Sequence, residues 1–245
     1  MNALGRRLSL LGNSFQRPFL RRRLGRVVLE HVDGVPLLVL PQVFNPVVFR
    51  TGTVLARTVA SSPLAASHPD SRALDLGTGS GVGAVFAARR GHRVVAVDVN
   101  AAAVRCARLN ALLNGLEESI EARQGDLFGP VEGEIFDLIL FNPPFFRGAP
   151  RDPLDFAWRG TDVLERFAAG LPAALAPGGT ALLLLSTDGD GPVLLAALRD
   201  RGFAIDSAAR RDFGNEVVTV HAVRHPAGPS GDGRIQQAPE GPHDS

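Results

Sequence analysis

The sequence predicts an α/β fold built on a doubly wound, mostly parallel sheet. Short apolar runs alternate with helical segments along residues 73–201. A glycine-rich turn, Asp75-Leu76-Gly77-Thr78-Gly79-Ser80-Gly81, follows the first run and opens a helix, and Asp98 ends the second run. Two further runs, 203–210 and 217–223, are too close together for a crossover helix, so they must pair antiparallel. We therefore expect a seven-stranded sheet whose last strand is antiparallel.

Composition limits the classes of protein that this chain can represent. A chain of 245 residues with 45% apolar and 21% charged residues can bury one large core, and its net charge of +1 excludes a general polyanion binder. The single cysteine, Cys106, excludes an intramolecular disulfide, and no Cys/His cluster has metal-ligand spacing. We expect a cytoplasmic protein without a metal, and without a membrane association, because no apolar run approaches transmembrane length.

Three segments are expected. Residues 1–26 form a basic N-terminal arm, since all of their charged side chains are arginines and the first acid is Glu30. Apolar residues in this arm recur at mostly helical spacing, so it could pack on the domain, contact RNA phosphate or stay solvated; a simple basic helix is favoured over an organellar transit peptide. Residues 27–225 form the folded domain. Residues 226–245 are rich in Gly, Pro, Ser and charge, which predicts disorder.

A β-hairpin is predicted to precede the main sheet. The apolar runs 27–32 and 35–40 flank Asp33-Gly34, a strong hairpin signal. A loop interrupted by Pro46 then covers 43–49, and a helix is expected over 52–61.

The boundaries of the main elements follow from the same alternation of apolar and helical patterns. We expect strands at 73–76, 93–97, 120–123, 136–141 and 181–185, and helices at 81–90, 101–114, 162–175 and 192–201. Residues 146–159 are expected to form a long loop, and Pro177-Gly178-Gly179 a turn into the fifth strand.

The glycine-rich turn indicates a site for a nucleotide-like cofactor, because it lets the backbone approach a ligand closely. A dinucleotide is one candidate, since Gly79-Ser80-Gly81-Val82-Gly83-Ala84 fits a relaxed G-x-G-x-x-A pattern and Asp98 stands where a ribose-binding acid belongs. Asp75 argues against it. A carboxylate at that strand tip would repel a pyrophosphate, whereas it suits a cofactor with a cationic amino-acid end.

Asn142-Pro143-Pro144-Phe145 is the second chemical motif, at the end of the strand 136–141. The prolines make this strand end rigid, and ligands of open α/β sheets bind beyond the carboxyl ends of the strands. The side-chain oxygen of Asn142 and the carbonyl of Pro143 could hold an NH2 group by both protons while Phe145 stacks on its plane. The alternative is that the motif only terminates a strand.

The glycine-rich turn resembles the first motif of class I S-adenosylmethionine-dependent methyltransferases, and Val97-Asp98-Val99-Asn100 resembles the second. The resemblance implies a Rossmann-like fold and S-adenosylmethionine as cofactor. It implies that the turn accommodates the methionine part, that Asp98 binds both ribose hydroxyls, and that Asp126 contacts the adenine amino group, although Asp126 could be an ordinary turn residue. The implied cofactor-binding set is Asp75, Gly77, Thr78, Gly79, Gly81, Asp98, Asn100, Asp126, Leu127 and Asn142.

Asn142-Pro143-Pro144-Phe145 also resembles the motif of methyltransferases that act on a planar NH2 group. With Asp155-Phe156-Ala157-Trp158-Arg159-Gly160, Val163 to Phe167 and Leu175 to Gly179, it is similar to the HemK-like glutamine methyltransferases, over roughly residues 40–225. The resemblance implies Asn142, Pro143 and Phe145 as catalytic residues and a protein substrate such as a translation release factor.

Other substrates and partners stay open. Longer members of the family carry an N-terminal helical bundle that grips the release factor, whereas only the arm 1–26 is expected before the hairpin here, so an exocyclic amine of a nucleic-acid base is the alternative acceptor. The short branch of the family works with a small activator protein, which makes such a partner possible here. A dinucleotide-binding or non-enzymatic domain is the third hypothesis.

Two aromatic residues in the loop after the fourth strand complete the predicted site. Trp158 and Phe146 are expected to form a wall of the substrate pocket, with the alternative that Trp158 anchors the loop on the core. Cys106 is expected to be a small packed side chain. The six histidines show no catalytic pattern.

Overall fold

The computed structural model describes residues 25–151, 154–214 and 216–225. The predicted arm 1–26 is described only at its last two residues, and the predicted disordered tail 226–245 lies outside the described residues. No helix in the described ranges is both long and apolar enough to cross a bilayer.

The elements follow the predicted order. The hairpin consists of β1 (Val28–Val32) and β2 (Val35–Val39), and helix α1 (Thr51–Ser61) follows it. The alternating part contains β3 (Arg72–Leu76), α2 (Val82–Arg89), β4 (Arg93–Asp98), α3 (Ala101–Leu113), β5 (Ile120–Gln124) and β6 (Phe136–Phe141). The remainder contains β7 (Phe146–Arg147), β8 (Arg159–Gly160), α4 (Val163–Ala174), β9 (Leu175–Ser186), α5 (Gly191–Asp200), β10 (Ala204–Asp212) and β11 (Val217–Arg224).

Seven strands form the main sheet in the order β10-β11-β9-β6-β3-β4-β5. The five strands from β9 to β5 pair in parallel, and β11 pairs antiparallel with both of its neighbours. The Rossmann-like α/β fold and its antiparallel last strand are therefore confirmed. Strand order reverses at β3, which has β4 on one side and β6 on the other, so a ligand crevice is expected at the carboxyl ends of β3 and β6.

Two buried clusters cover the two faces of the sheet, because strand side chains alternate between faces. In β6, Leu138 and Leu140 face the cluster that includes α1, α2 and α3, whereas Ile139 and Phe141 face the cluster that includes α4 and α5. The run is apolar throughout because both faces of this central strand are covered.

The hairpin is attached to the main domain through Asn110 of α3, a completely buried side chain. The backbone N–H of Leu38 donates to Asn110 Oδ1 over 2.6 Å. Asn110 Nδ2 donates to the carbonyls of Leu38 and Ser80, each over 2.7 Å. One side chain therefore joins the hairpin, helix α3 and the glycine-rich turn.

Two parts of the chain differ from prediction. The expected loop 146–159 contains a short parallel pair, β7 with β8, and a 3-10 turn at Asp155–Ala157. The expected turn at Pro177-Gly178-Gly179 lies inside β9, because Leu175 already pairs with Phe136 and Thr180 pairs with Leu138. The four residues between these pairings bulge out of the strand, which Gly178 permits by its φ of 83°.

Candidate active site

A cavity of about 270 Å³ opens at the carboxyl ends of β3, β4 and β6, at the reversal of strand order. It is lined by nine of the predicted cofactor-binding residues: Asp75, Gly77, Thr78, Gly79, Asp98, Asn100, Asp126, Leu127 and Asn142. Gly81 is not among its lining residues. These residues come from four separate segments of sequence, so the fold brings the separate sequence motifs together around one cavity.

Asp75 occupies the floor of the cavity at the end of β3 and is almost completely buried. Its Oδ2 accepts hydrogen bonds from Thr78 Oγ1 over 2.7 Å and from the N–H of Ala84 over 2.9 Å. A Cβ on Gly83 would lie 2.7 Å from Asp75 Oδ1, so only glycine leaves room for the carboxylate. Burial raises the pKa of Asp75 to about 6. A cationic ligand group would remove that penalty.

Asp98, at the end of β4, shapes the glycine-rich turn. Its Oδ2 accepts from the N–H of Gly79 over 2.9 Å, and its Oδ1 accepts from the N–H of Asn100 over 2.8 Å. Asn100 in turn caps α3 by accepting from the N–H of Ala102. Burial raises the pKa of Asp98. Since a carboxylate has about four acceptor positions, each oxygen can accept one more hydrogen bond, which matches a pair of ligand hydroxyls.

Gly81 has a packing role instead of a place in the cavity. Its φ is 82°, and a Cβ at this position would lie 2.9 Å from Ala107 Cα on α3. The glycine therefore lets α2 begin in close contact with α3. The resemblance assigns Gly81 to the cofactor, and that assignment stays a prediction; the sequence alone does not show that Gly81 also packs against α3.

Asp126 lies in the cavity wall and is already paired. Arg166 Nη1 lies 2.6 Å from Asp126 Oδ2, and Arg166 Nε lies 2.9 Å from Asp162 Oδ1. Sequence reasoning missed Arg166. The spacing of Asp162 and Arg166 on α4 indicates a helical ion pair, but the contact with Asp126 depends on the fold.

Asn142 extends from the end of β6 into the cavity wall. Its Nδ2 donates to Thr51 Oγ1 of α1 over 3.3 Å. Its Oδ1 is buried and has no hydrogen-bond partner among the described residues. An unpaired buried acceptor costs about 1–3 kcal/mol. A ligand N–H that reached this oxygen would recover the cost.

The other predicted catalytic residues do not line the cavity. Pro143 is buried, and Pro144 is the proline that reaches the cavity wall. Phe145 packs against the core cluster of α1, α2 and α3 and borders a separate shallow depression. In this arrangement its ring is not available for stacking on a group in the main cavity. The catalytic assignments of Pro143 and Phe145 stay predictions.

Aromatic rings join two loops above the cavity. Trp158 packs against Phe44 and Phe49, with ring centroids 5.3 and 4.6 Å apart, and Phe44 itself lines the cavity. Phe146 is 45% exposed and borders the shallow depression. The contacts of Trp158 agree with the alternative in which it anchors its loop, and Phe44 is a wall residue that the sequence did not reveal.

The described residues give the cavity neither a group of metal-ligating side chains nor a reactive thiol. Within residues 25–151, 154–214 and 216–225, no three His, Cys, Asp or Glu side chains are grouped to hold a metal ion. Cys106 is buried under the hairpin, and burial raises the pKa of its thiol to about 11. It packs as the sequence predicts.

Residues 36–199 match the methyltransferase small domain family. The chain belongs to this family. The predicted resemblance to HemK-like class I methyltransferases is therefore confirmed, and the protein is a methyltransferase.

Curated relatives of this methyltransferase act on two kinds of substrate. It is 30% identical to a putative protein N5-glutamine methyltransferase of Methanocaldococcus jannaschii, over 80% of this chain and 100% of the relative. It is 37% identical to the ribosomal RNA small subunit methyltransferase C of Alcanivorax borkumensis, over 48% of this chain and 33% of the relative. The chain thus spans all of the first relative and a third of the second.

Solved structures share the fold. A T. thermophilus 16S rRNA methyltransferase in complex with AdoMet and guanosine has a TM-score of 0.62 at 23% identity, covering 82% of this chain and 50% of that one. An E. cuniculi two-protein complex responsible for the methylation of a translation termination factor has a TM-score of 0.51 at 21% identity, covering 76% and 99%.

Proposed function

We propose that this methyltransferase transfers a methyl group from S-adenosylmethionine to a planar NH2 group, and that the acceptor is a glutamine side chain of a protein such as a translation release factor. The observation that carries the proposal is Asn142 in the wall of the cavity, whose buried Oδ1 has no hydrogen-bond partner among the described residues. Such an acceptor is suited to a ligand that presents N–H groups.

The residues at the cofactor end fit S-adenosylmethionine. Asp75 offers a buried carboxylate for the cationic amino group, and Asp98 offers two acceptors for the ribose hydroxyls. Gly77 and Gly79 provide a turn without side chains against which the ligand can lie. Bound S-adenosylmethionine supplies an electrophilic methyl group, so the protein needs no covalent nucleophile.

The residues at the acceptor end orient a weak nucleophile. An amide nitrogen is a poor nucleophile because its lone pair is delocalised into the carbonyl group. A hydrogen bond from a substrate N–H group to Asn142 Oδ1 would direct that lone pair and stabilise the positive charge that develops on nitrogen. The Pro143 carbonyl is the predicted second acceptor, although Pro143 does not line the cavity in this structure. Asn142 acts as an orienting acceptor, and positioning supplies much of the rate enhancement.

The relatives support two acceptor classes. The full-length match to a putative glutamine methyltransferase favours a protein, and the E. cuniculi complex makes a small partner protein part of this proposal. The higher identity to a ribosomal RNA methyltransferase over about half of this chain favours an exocyclic base amine as the second candidate. The proposed cytoplasmic location agrees with either substrate.

The first experiment identifies the acceptor. The protein is incubated with radiolabelled S-adenosylmethionine and either purified release factor or ribosomal RNA. We expect label in the release factor and N5-methylglutamine in its hydrolysate by mass spectrometry. Label in the RNA alone would replace the glutamine proposal by the base-amine candidate, and binding of NAD in place of S-adenosylhomocysteine would overturn both.

The second experiment tests Asn142 directly. Asn142→Ala removes the acceptor without touching the glycine-rich turn or Asp98, so calorimetric affinity for S-adenosylhomocysteine should stay within about twofold, while turnover falls by about 100-fold or more. Asn142→Asp keeps an acceptor but adds charge beside the cation, and partial activity at most is expected. Asn114→Ala is the control, because the side-chain amide of Asn114 donates a hydrogen bond to the carbonyl of Pro36 outside the cavity. This substitution should affect stability rather than turnover. Wild-type turnover by Asn142→Ala would reduce the motif to a strand terminator.

A further inference from the structure

The hydroxyl group of Thr51 contacts the amide that carries the proposed function. Asn142 Nδ2 donates to Thr51 Oγ1 over 3.3 Å, across 91 residues of sequence. Thr51 is the first residue of α1 and is 3% exposed. A primary amide has donors at one end and an acceptor at the other. Thr51 Oγ1 pairs with the NH2 end of Asn142, and the Oδ1 end has no partner among the described residues.

The position of Thr51 is tightly held by its neighbours. A Cβ on Gly52 would lie 2.8 Å from Pro46 Cβ, so the start of α1 is packed directly on the preceding loop. Thr53 Oγ1 donates to the carbonyl of Pro46 over 2.9 Å. Arg50, the residue before the helix, has a φ of 64°, a conformation that costs a non-glycine residue energy and persists only where the surroundings impose it.

The loop before α1 is held in turn by Asn45, which is 1% exposed. Asn45 Oδ1 accepts from the N–H groups of Val47 and Val48 over 3.0 and 2.9 Å. Asn45 Nδ2 donates to Glu30 Oε1 of the hairpin over 2.8 Å. Buried and partly buried contacts therefore run from the hairpin through this loop to Gly52 and Thr53, the residues next to Thr51 at the start of α1.

We infer that Thr51 is a positioning residue for methyl transfer, whose hydroxyl holds the Asn142 side chain with Oδ1 directed at the acceptor NH2. The inference rests on the proposed function and adds to it a residue outside the recognised motifs. With a reversed amide, two N–H donors would face the substrate NH2, and donors cannot bind donors. Without the hydroxyl, the Asn142 NH2 loses its partner, and the amide rotates to satisfy it elsewhere.

The test compares three variants of the full chain. Thr51→Val keeps the shape of the side chain and removes the hydroxyl, and Thr51→Ser keeps the hydroxyl. Thr58→Val is the matched control, because Thr58 is a buried threonine two turns along α1 whose hydroxyl donates to the carbonyl of Val54. We expect Thr51→Val to lower kcat for release-factor methylation by about tenfold, the effect of one net hydrogen bond. Thr51→Ser and Thr58→Val should stay within about twofold of wild type.

A second readout does not depend on the acceptor. In 15N-labelled protein the side-chain NH2 signal of Asn142 is assigned by its loss in Asn142→Ala. Its hydrogens should exchange slowly in wild type and in Thr51→Ser, and much faster in Thr51→Val. Affinity for S-adenosylhomocysteine should be unchanged in all three variants. Equal exchange in Thr51→Val and wild type would overturn the inference, whatever the substrate proves to be.

The two proposals fail in different ways. If Asn142→Ala keeps wild-type turnover, the proposed function loses its central observation. If Asn142→Ala is inactive but Thr51→Val turns over normally, only the positioning role of Thr51 is rejected. In an Asn142→Ala background, Thr51→Val should cause no additional loss of residual activity, because its effect acts through Asn142. An additive loss would assign Thr51 a separate, structural role.

Discussion

Two polar groups of cavity-lining residues, the Asp75 carboxyl and Asn142 Oδ1, lie in surroundings that are unfavourable for them when no ligand is bound. The carboxyl of Asp75 has its pKa raised to about 6 by burial, and the acceptor of Asn142 has no partner among the described residues. Both conditions lower stability in the absence of ligands. Each would be relieved by a complementary group, a cation for Asp75 and an N–H for Asn142. These are the groups that the proposed methyl donor and the proposed acceptor present.

The raised pKa of Asp75 predicts a pH dependence of cofactor binding. In the free protein the pKa of Asp75 is raised to about 6, so it takes up a proton below that pH, whereas in the proposed complex a cationic amino group would keep it ionised. Affinity for S-adenosylhomocysteine should therefore be lost as the pH falls from 7 to 5, approaching tenfold per pH unit below 6.

Calorimetric titration across this range checks the prediction. The Asp75→Asn variant should bind S-adenosylhomocysteine more weakly at pH 7, and its affinity should depend less on pH. Some pH dependence should remain, because the pKa of Asp98 is also raised. Equal pH dependence in wild type and Asp75→Asn would exclude Asp75 from contact with the amino group.

At the scale of elements, local pattern predicted most of the fold. Strands such as β6 were located to the residue, since a buried parallel strand is a continuous apolar run with proline after it. What could not be predicted depends on contacts between distant elements. The bulge in β9 depends on how Leu175 and Thr180 pair with β6. The packing of the partly buried Phe145 against the core depends on tertiary contacts that no local motif encodes.

The α2–α3 contact yields a stability prediction. Gly81→Ala places a Cβ 2.9 Å from Ala107 Cα at a φ of 82°, so both left-handed strain and overpacking oppose it, for a loss of about 2–4 kcal/mol. Gly77→Ala is the matched control, because its φ is 61° but nothing lies within 4 Å of the added Cβ. It should lose about 1–2 kcal/mol. Urea unfolding measures both, and equal midpoints would show that α3 moves to accept the methyl group.

The described part of the domain combines the seven-stranded main sheet with the hairpin β1–β2 and the short pair β7–β8. The hairpin is anchored by Asn110 and by the hydrogen bond between Glu30 and Asn45. The cavity lies at the carboxyl ends of strands of the main sheet. All described elements fall between Val28 and Arg224. The hairpin is therefore an integral part of the domain that carries the cavity.

Deletion of residues 1–26 should leave the domain folded, because the hairpin and the main sheet lie downstream of it. The melting temperature should stay within a few degrees of wild type, and the affinity for S-adenosylhomocysteine should be unchanged. Deletion of residues 1–40 is the control, because it also removes the hairpin and the partners of Asn45 and Asn110. That variant should melt much earlier or be insoluble. If the shorter deletion behaves in the same way, the arm is part of the core.

The bond between Leu38 and Asn110 also has a consequence for synthesis on the ribosome. The two residues are separated by 72 positions. At a synthesis rate of about 5–20 residues per second, roughly 4–14 seconds pass between the appearance of Leu38 and that of its partner. A two-stranded hairpin is only marginally stable by itself, so during this interval it exists as a fluctuating segment with an open edge. The hairpin therefore gains its hydrogen bond to Asn110 only after α3 has been synthesised.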